Sequence, residues 1–309
     1  SIGAVSNSFW DTQTNGQNSS GDGTGKTTAQ MQDSNLFTTN SWDFTFHSGV
    51  WGRKATLNDG YPVLRTFGYT DPITITLNDP ALTRSYGGAN PLLAGGWTVS
   101  GCDNNLACVS GIDWSAALLP TTSVGTFNYG AGLFAPTLGA GYGKLSDYDI
   151  TYSTGTLSIT PAVLSIAGIG AANQTYDRTN VASINAGTLV GLVNGENLSL
   201  SASGSFDSAN AGARTVAATV LVGDGSGANA GQASNYILST PTVNLAATIS
   251  ALEVQLASLG GREYDATSKL NANLLQITNV LAGDTVNLSG TGTLASRNAG
   301  TQALAGYAG

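Results

Sequence analysis

The sequence predicts an all-β chain built from tandem sandwich modules, and three observations carry that prediction. First, two stretches repeat at a fixed offset. Tyr176-Asp177 recurs as Tyr264-Asp265, Gly195-Glu196 as Gly283-Asp284, and Asn210-Ala211-Gly212 as Asn298-Ala299-Gly300, each 88 residues on (264 − 176). Apolar positions keep the same step: Leu198 with Val286, Leu200 with Leu288, Phe206 with Leu294. Turn residues and core residues that share one period mark a duplicated folding unit. Second, short segments alternate strictly between apolar and polar residues, as half-buried strands do. Third, charged residues make up 10% of the chain, against roughly 25% in an average soluble domain. Long amphipathic helices clothe their outer faces with Glu and Lys. Here Gly, Ser, Thr and Asn stand in their place, which suits strands joined by tight turns.

Residues 1–69 have a different texture from the rest. They hold Trp10, Trp42 and Trp51 of the five tryptophans, together with the sole Met and the sole His. Thr27 or Thr28 ahead of Ala29-Gln30-Met31-Gln32 is placed to cap one short helix, and the remainder reads as aromatic-rich strand and loop. The tryptophans are expected to be largely buried. From Pro72 onward alternation takes over in Ile73-Thr74-Ile75-Thr76-Leu77, Leu157-Ser158-Ile159-Thr160, Leu198-Ser199-Leu200-Ser201 and Val286-Asn287-Leu288-Ser289. Turn signals such as Gly87-Gly88, Asn194-Gly195 and Asp224-Gly225 separate the runs, a punctuation that suits β-sandwich units. Tyr148 and Tyr236 lie 88 residues apart, and Tyr86 precedes Tyr176 by nearly that distance, so residues 70–162 read as a diverged member of the series. The modules are expected at 70–162, 163–251 and 252–309, the last truncated. Thr160-Pro161-Ala162 forms a stiff junction, because proline lacks an amide donor and fixes its backbone.

The net charge of −8 leaves no basic patch for phosphates, so no nucleic-acid partner is expected. No run of about 18 apolar residues is present, so no membrane helix is expected either. There is no initiator Met and no signal peptide, and the sequence reads as an internal piece of a longer protein. Cys102 and Cys108 lack both CxxC spacing and a second pair that could complete a zinc site. A local disulfide in an oxidising compartment is the favoured reading, with two free thiols as the alternative.

Candidate chemistry is sparse. Gly21-Asp22-Gly23-Thr24-Gly25-Lys26-Thr27 resembles a phosphate loop, but Ser20 stands where the pattern needs its first Gly. Gly168-Ile169-Gly170 lacks the third glycine of a dinucleotide fingerprint. His47 is flanked by neither acid nor nucleophile, so metal and triad chemistry have no base to rest on. Asp147, Asp149, Asp177 and Asp265 could bind calcium, yet no Asp-x-Asp-x-Asp-Gly loop is present. No metal, no cofactor and no enzymatic activity are expected. The Tyr-Asp pairs, Tyr176-Asp177 and Tyr264-Asp265, read as structural: a ring at a sheet edge and an acid that caps a turn. Trp97 and Trp114, on either side of the cysteine loop, are the candidates for stacking on a sugar, with burial in the core as the alternative.

The motifs Phe9-Trp10-Asp11-Thr12-Gln13-Thr14, Gly25-Lys26-Thr27-Thr28-Ala29-Gln30-Met31, Trp42-Asp43-Phe44 and Tyr61-Pro62-Val63-Leu64 occur in order. Together they resemble the segment that follows GLUG repeats in large filamentous-haemagglutinin-type exoproteins. Units with Tyr-Asp near the start and Asn-Ala-Gly near the middle resemble the YDG and MBG modules of the same proteins. The resemblance implies a Gram-negative adhesin secreted by a two-partner system through an outer-membrane transporter. It implies that residues 1–69 are the end of a right-handed parallel β-helix, with an MBG-like module at 70–162 and YDG-like modules at 163–251 and 252–309, all Ig-like sandwiches. The expected role is structural and adhesive, in cell-cell, matrix (biofilm) or host attachment at the cell surface, with polysaccharide or a neighbouring cell as partner. The alternative is a carbohydrate-binding module array in an extracellular glycan-binding or glycan-active protein.

Overall fold

The computed structural model describes residues 6–14, 16–17, 19–20, 22–54, 57–102 and 108–308. The chain divides into two compact units, Ser1–Ala162 with Ser234–Tyr236, and Val163–Ala233 with Ile237–Gly309. The described residues are all-β apart from two helices of four and five residues and scattered single 3-10 turns.

In the first unit, β1 (Phe9–Asp11) and β2 (Thr24–Lys26) pair in parallel. α1 (Thr28–Met31) follows at once, because Thr27 closes a capping box: its hydroxyl accepts the Gln30 amide at 3.3 Å, and the Gln30 side chain accepts the Thr27 amide at 3.0 Å. Asp33 caps α2 (Ser34–Thr38) more simply: its carboxylate accepts the Asn35 amide at 3.0 Å. The glycine-rich run that resembles a phosphate loop is therefore strand β2 and a cap, with Gly21 outside the described residues. β3 (Trp51–Gly52) pairs antiparallel with β4 (Val63–Leu64). A right-handed parallel β-helix is not seen among the described residues of 1–69. One parallel pair is formed, and two helices follow it before the next strand.

Eight strands complete the first unit: β5 (Asp71–Leu77), β6 (Ala81–Ser85), β7 (Trp97–Ser100), β8 (Val109–Trp114), β9 (Gly125–Asn128), β10 (Phe134–Leu138), β11 (Tyr148–Tyr152) and β12 (Thr156–Thr160). They form sheets of order β11-β5-β7, β6-β12-β9 and β10-β8. The alternation read from the sequence is the burial pattern: Ile73, Ile75 and Leu77 of β5 and Leu157 and Ile159 of β12 are buried. Pro72 is tolerated in β5 because the antiparallel neighbour β7 pairs only with Thr74–Leu77. Three contacts tie the aromatic-rich segment to these sheets. Lys54 pairs with Asp149, buried Asp71 pairs with Arg65 at 2.5 Å, and His47 stacks on Tyr148 with ring centres 5.5 Å apart. Burial, with Asp71 and Asp147 nearby, pushes the Tyr148 phenol up to about 12.

The second unit begins with β13 (Ala162–Ala167), β14 (Gly170–Ala171), β15 (Gln174–Thr175), β16 (Val181–Ala182), β17 (Ile184–Asn185), β18 (Thr188–Val190), β19 (Ser199–Phe206), β20 (Gly212–Gly223), β21 (Tyr236–Leu238) and β22 (Thr242–Ser250). A five-stranded sheet, β15-β22-β20-β19-β16, supplies the core from Ala182, Phe206, Val216, Ala247 and Ile249. Then come β23 (Leu256–Ser258), β24 (Lys269–Asn271), β25 (Leu275–Ile277), β26 (Thr291–Leu294) and β27 (Leu304–Ala308).

The 88-residue period is visible in strand register. Val181↔Ser205 and Ala182↔Gly204 become Lys269↔Thr293 and Leu270↔Gly292, and Phe206↔Val216 becomes Leu294↔Leu304. Thus β24-β26-β27 repeats β16-β19-β20. The first unit shares part of this plan at an offset of 90: Arg84↔Ile159 of β6 and β12 matches Gln174↔Ile249 of β15 and β22. Tyr86 donates its amide to Thr160 as Tyr176 does to Ser250, each at 2.8 Å.

Candidate functional site

The repeated Tyr-Asp pairs form the same turn twice. Asp177 Oδ1 accepts the Thr179 amide at 2.8 Å and the Thr179 hydroxyl at 2.9 Å. Asp265 Oδ1 accepts the Thr267 amide and hydroxyl, both at 2.9 Å. The residue between is left-handed in each copy, Arg178 at φ 71° and Ala266 at φ 63°. The unit of recognition is therefore Tyr-Asp-x-Thr, an Asx turn that holds a non-glycine residue in a costly conformation. The threonines recur 88 residues apart, so the sequence carried this signal, which a reading limited to Tyr-Asp passes over. Bonds from the Thr179 amide and hydroxyl hold the Asp177 carboxyl below its ordinary range. A bond from Arg262, then those from Thr267, bring Asp265 down to about 2.

Beyond this shared turn the two tyrosines differ. Tyr176 is half-buried, packs against the core of the five-stranded sheet and donates its hydroxyl to Asp284 Oδ1 at 3.2 Å. Arg178 Nε lies 3.4 Å from the same oxygen, and Arg178 Nη1 donates to the Ala282 carbonyl. Burial, and then the Asp284 carboxylate, raise the Tyr176 phenol above its usual value. Asp284 sits in the repeat where Glu196 sits in the first copy, following a left-handed glycine, Gly195 or Gly283. The Tyr-Asp turn of one copy thus grips the Gly-acid turn of the next. Behind this polar pin lies a cavity of about 300 Å³ walled by Ala211, Leu252, Val254, Val280, Leu281 and Val286. Tyr264, by contrast, is 66% exposed.

The family model of the YDG domain matches residues 160–243 and again 248–307. This chain carries the YDG domain. No curated protein and no solved structure matches the chain. The two YDG matches cover the duplicated strands, and both hold the Tyr-Asp-x-Thr turn and the Gly-acid pair described above.

The other residues singled out by sequence lie upstream of the YDG copies and are not brought together. Trp97 is half-buried on β7, opposite Leu77 of β5. Trp114 is half-buried on β8, in another sheet, with its indole N–H donated to the Pro91 carbonyl at 2.8 Å and its ring 5.0 Å from Phe134. Neither is a fully buried core residue. Cys102 and Cys108 are joined as a disulfide with Cα atoms 6.0 Å apart, while residues 103–107 lie outside the described residues. Among the described residues no group of three or more His, Cys, Asp or Glu side chains could hold a metal ion.

The N-terminal segment gathers its aromatic side chains around a ring that the sequence reading did not single out. Trp10, Trp42 and Trp51 are half-buried, and the enclosed residue is Phe37 at 1% exposure. Phe37 sits 4.9 Å from Trp42, 5.7 Å from Phe9 and 5.9 Å from Phe44, and the tilted rings of Trp42 and Trp51 have centres 4.4 Å apart. A small segment has too little interior to enclose several indoles, so it buries the one ring at the centre and leaves the larger ones as its walls. These walls line an open cleft of about 520 Å³ with Tyr61, Asn58, Asp59 and Thr14. Tyr61 is oriented by a 2.5 Å bond to buried Asp11.

Proposed function

We propose that this chain is a structural and adhesive segment of a large secreted bacterial surface protein. The observation that supports it most directly is the duplicated YDG unit with a side-chain pin between copies, Tyr176 and Arg178 on Asp284. A repeat that carries its own joint is a means of extending a chain while holding successive copies in a fixed relation. On this reading the strands from Asp71 onward belong to Ig-like β-sandwich modules. Residues 1–69 close the end of a parallel β-helix, for which the β1–β2 pair and the aromatic cluster around Phe37 are the supporting features. The segment works outside the cell, after export through an outer-membrane transporter, and attaches to matrix polysaccharide or to a neighbouring or host cell. It performs no catalysis.

The test is adhesion of beads coated with the 309-residue chain to biofilm matrix and to cultured cells, against albumin-coated beads. Adhesion above the albumin level is expected. Equal adhesion to every surface would remove the attachment role.

A second reading, glycan binding, is favoured by the N-terminal cleft. Trp42, Trp51 and Tyr61 offer ring faces, and Asn58, Asp59 and Thr14 offer hydrogen-bonding groups. A glycan array separates the two readings: binding that Trp51→Ala abolishes assigns the cleft to a sugar, and a blank array leaves only attachment by other means.

A further inference from the structure

Phe37 and Trp51 line the cleft described above, while Phe44, 5.9 Å from Phe37, and Gly52, next to Trp51, line a second cleft of about 410 Å³ in the same unit. Ser34 and Thr38 stand one turn apart on α2 and bring two hydroxyls to it. Phe44 and Phe46 are half-buried and bring ring surface. The floor is Gly52 with Tyr69, and a Cβ on Gly52 would lie 2.5 Å from the Tyr69 ring, so only glycine lets that ring rest against β3. Two arginines complete the lining, and they are held differently. Arg65 is turned inward: its Nη1 donates to Asp71 at 2.5 Å and its guanidinium lies 4.9 Å from the centre of the Tyr69 ring. Asp71 is 3% exposed, so this pair is closed and neutral. Arg53 is fixed at both ends by neutral groups. Its carbonyl accepts the Tyr69 hydroxyl at 2.9 Å, and its Nε donates to the Gly60 carbonyl at 2.8 Å. Among the described residues Arg53 enters no ion pair. Its terminal nitrogens thus hold an unmatched positive charge in a chain whose net charge is −8.

We infer that this second cleft binds a uronic-acid residue of an acidic polysaccharide. The planar guanidinium of Arg53 matches a carboxylate, which accepts from its terminal nitrogens. Phe44 and Phe46 cover the apolar C–H face of the sugar ring, and the Ser34 and Thr38 hydroxyls bond its hydroxyls. The volume falls within the range of about 300–1,000 Å³ usual for small-molecule sites. An acidic peptide shares the carboxylate, but a peptide takes hold through main-chain bonds along a free strand edge. The strand that borders this cleft, β3, is two residues long, and its Trp51 amide is already donated to the Asp43 carbonyl at 2.9 Å. The inference rests on the glycan-binding reading and extends it to a charged sugar at a separate cleft.

The experiment titrates the 309-residue chain with a galacturonic acid trimer, with the methyl ester of that trimer, and with a glutamate tripeptide, each followed by calorimetry. The acid should bind on the order of tenfold more tightly than its ester, because a hydrogen bond to a charged group is the stronger kind. Added salt should shrink that advantage. Arg53→Gln should remove it. So should Thr38→Glu, which sets a repelling carboxylate on an exposed residue at the cleft. Circular dichroism and indole fluorescence check that each variant folds, and Thr38→Glu carries the test if Arg53→Gln does not. Equal binding of acid and ester overturns the inference, as does an advantage that survives in a folded variant. A tripeptide that binds as tightly as the trimer also overturns it, by making an acidic peptide the partner. Binding of neither sugar overturns it too, and the glycan array then separates the two failures: binding that Trp51→Ala abolishes keeps the glycan reading without this site, and a blank array removes both.

Discussion

Phe37→Ala should destabilise the first unit by about 3 kcal/mol, the low end of the usual range of about 3–5 kcal/mol for a buried Phe. The ring is 1% exposed and touches Phe9, Trp42 and Phe44 at centroid distances of 5.7, 4.9 and 5.9 Å. All three aromatic pairs end with the truncation, and each contributes about 0.5–1.5 kcal/mol beyond simple burial. The cost stays at the low end because Phe37 also lines the open N-terminal cleft. The space left behind joins that cleft and fills with water, so it does not persist as a dry void. The assay is favourable, since all five tryptophans lie in the first unit. Urea unfolding followed by indole fluorescence therefore reports on that unit alone, and circular dichroism follows both. The midpoint should fall with the slope unchanged. Trp42→Ala, which removes a half-buried ring, should cost less than Phe37→Ala. A loss below about 1 kcal/mol for Phe37→Ala, the size of an ordinary surface change, would refute the placing of the core at Phe37.

Three further outcomes are expected. Asp265 titrates near 2 in the folded chain against an ordinary 3.8, and Asp177 is also depressed. A depressed carboxyl stabilises the fold above its unfolded pKa and ceases to do so as pH falls through the folded value. The second unit should thus weaken between about pH 4 and pH 2. The double variant Asp177→Asn with Asp265→Asn should flatten that limb in circular dichroism, and an unchanged limb refutes the assignment. Intact mass should show no alkylation of Cys102 or Cys108 until a reductant is added, and reduction should cost about 2 kcal/mol for so short a loop. Two thiols that alkylate without reductant would count against the bond. Gly101→Ala should cost about 1–3 kcal/mol, because Gly101 sits at φ 95° and a Cβ there would lie 2.4 Å from the Pro72 carbonyl. The fluorescence midpoint checks it, and a neutral result means that the turn relaxes.

The sequence was legible where one physical signal dominates. Alternation fixed β5 and β12, since a strand with one face buried writes its burial pattern directly into its residues. Repetition fixed the equivalence of β16-β19-β20 with β24-β26-β27. What one residue string does not show is which equivalent residues meet a neighbour. Tyr176 packs on Ala247 and Ile249 and bonds Asp284, partners that lie 71 to 108 residues away in sequence (247 − 176 and 284 − 176). Phe37 was passed over because it lies in a polar stretch, Ser34-Asn35-Leu36-Phe37-Thr38, with no periodicity around it. The tryptophans drew attention by size, but size made them walls. Trp97 and Trp114 were paired by proximity in sequence and were placed on separate sheets.

Residues 70–162 and 163–251 each place an early strand parallel to a late one: β5 beside β11 and β6 beside β12 in the first, and β15 beside β22 in the second. When such a module is pulled by its two ends, the paired strands are drawn in opposite directions along their length. Their hydrogen bonds are then strained together, whereas an antiparallel terminal pair would peel open one bond at a time. The five-residue registers of β5–β11 and β6–β12 act as clamps under tension, while the two-residue β15–β22 pair is the weaker one. Pulled from both ends, this chain would give way first in the YDG copy at 163–251, and a force-extension trace should show the first unit rupturing last.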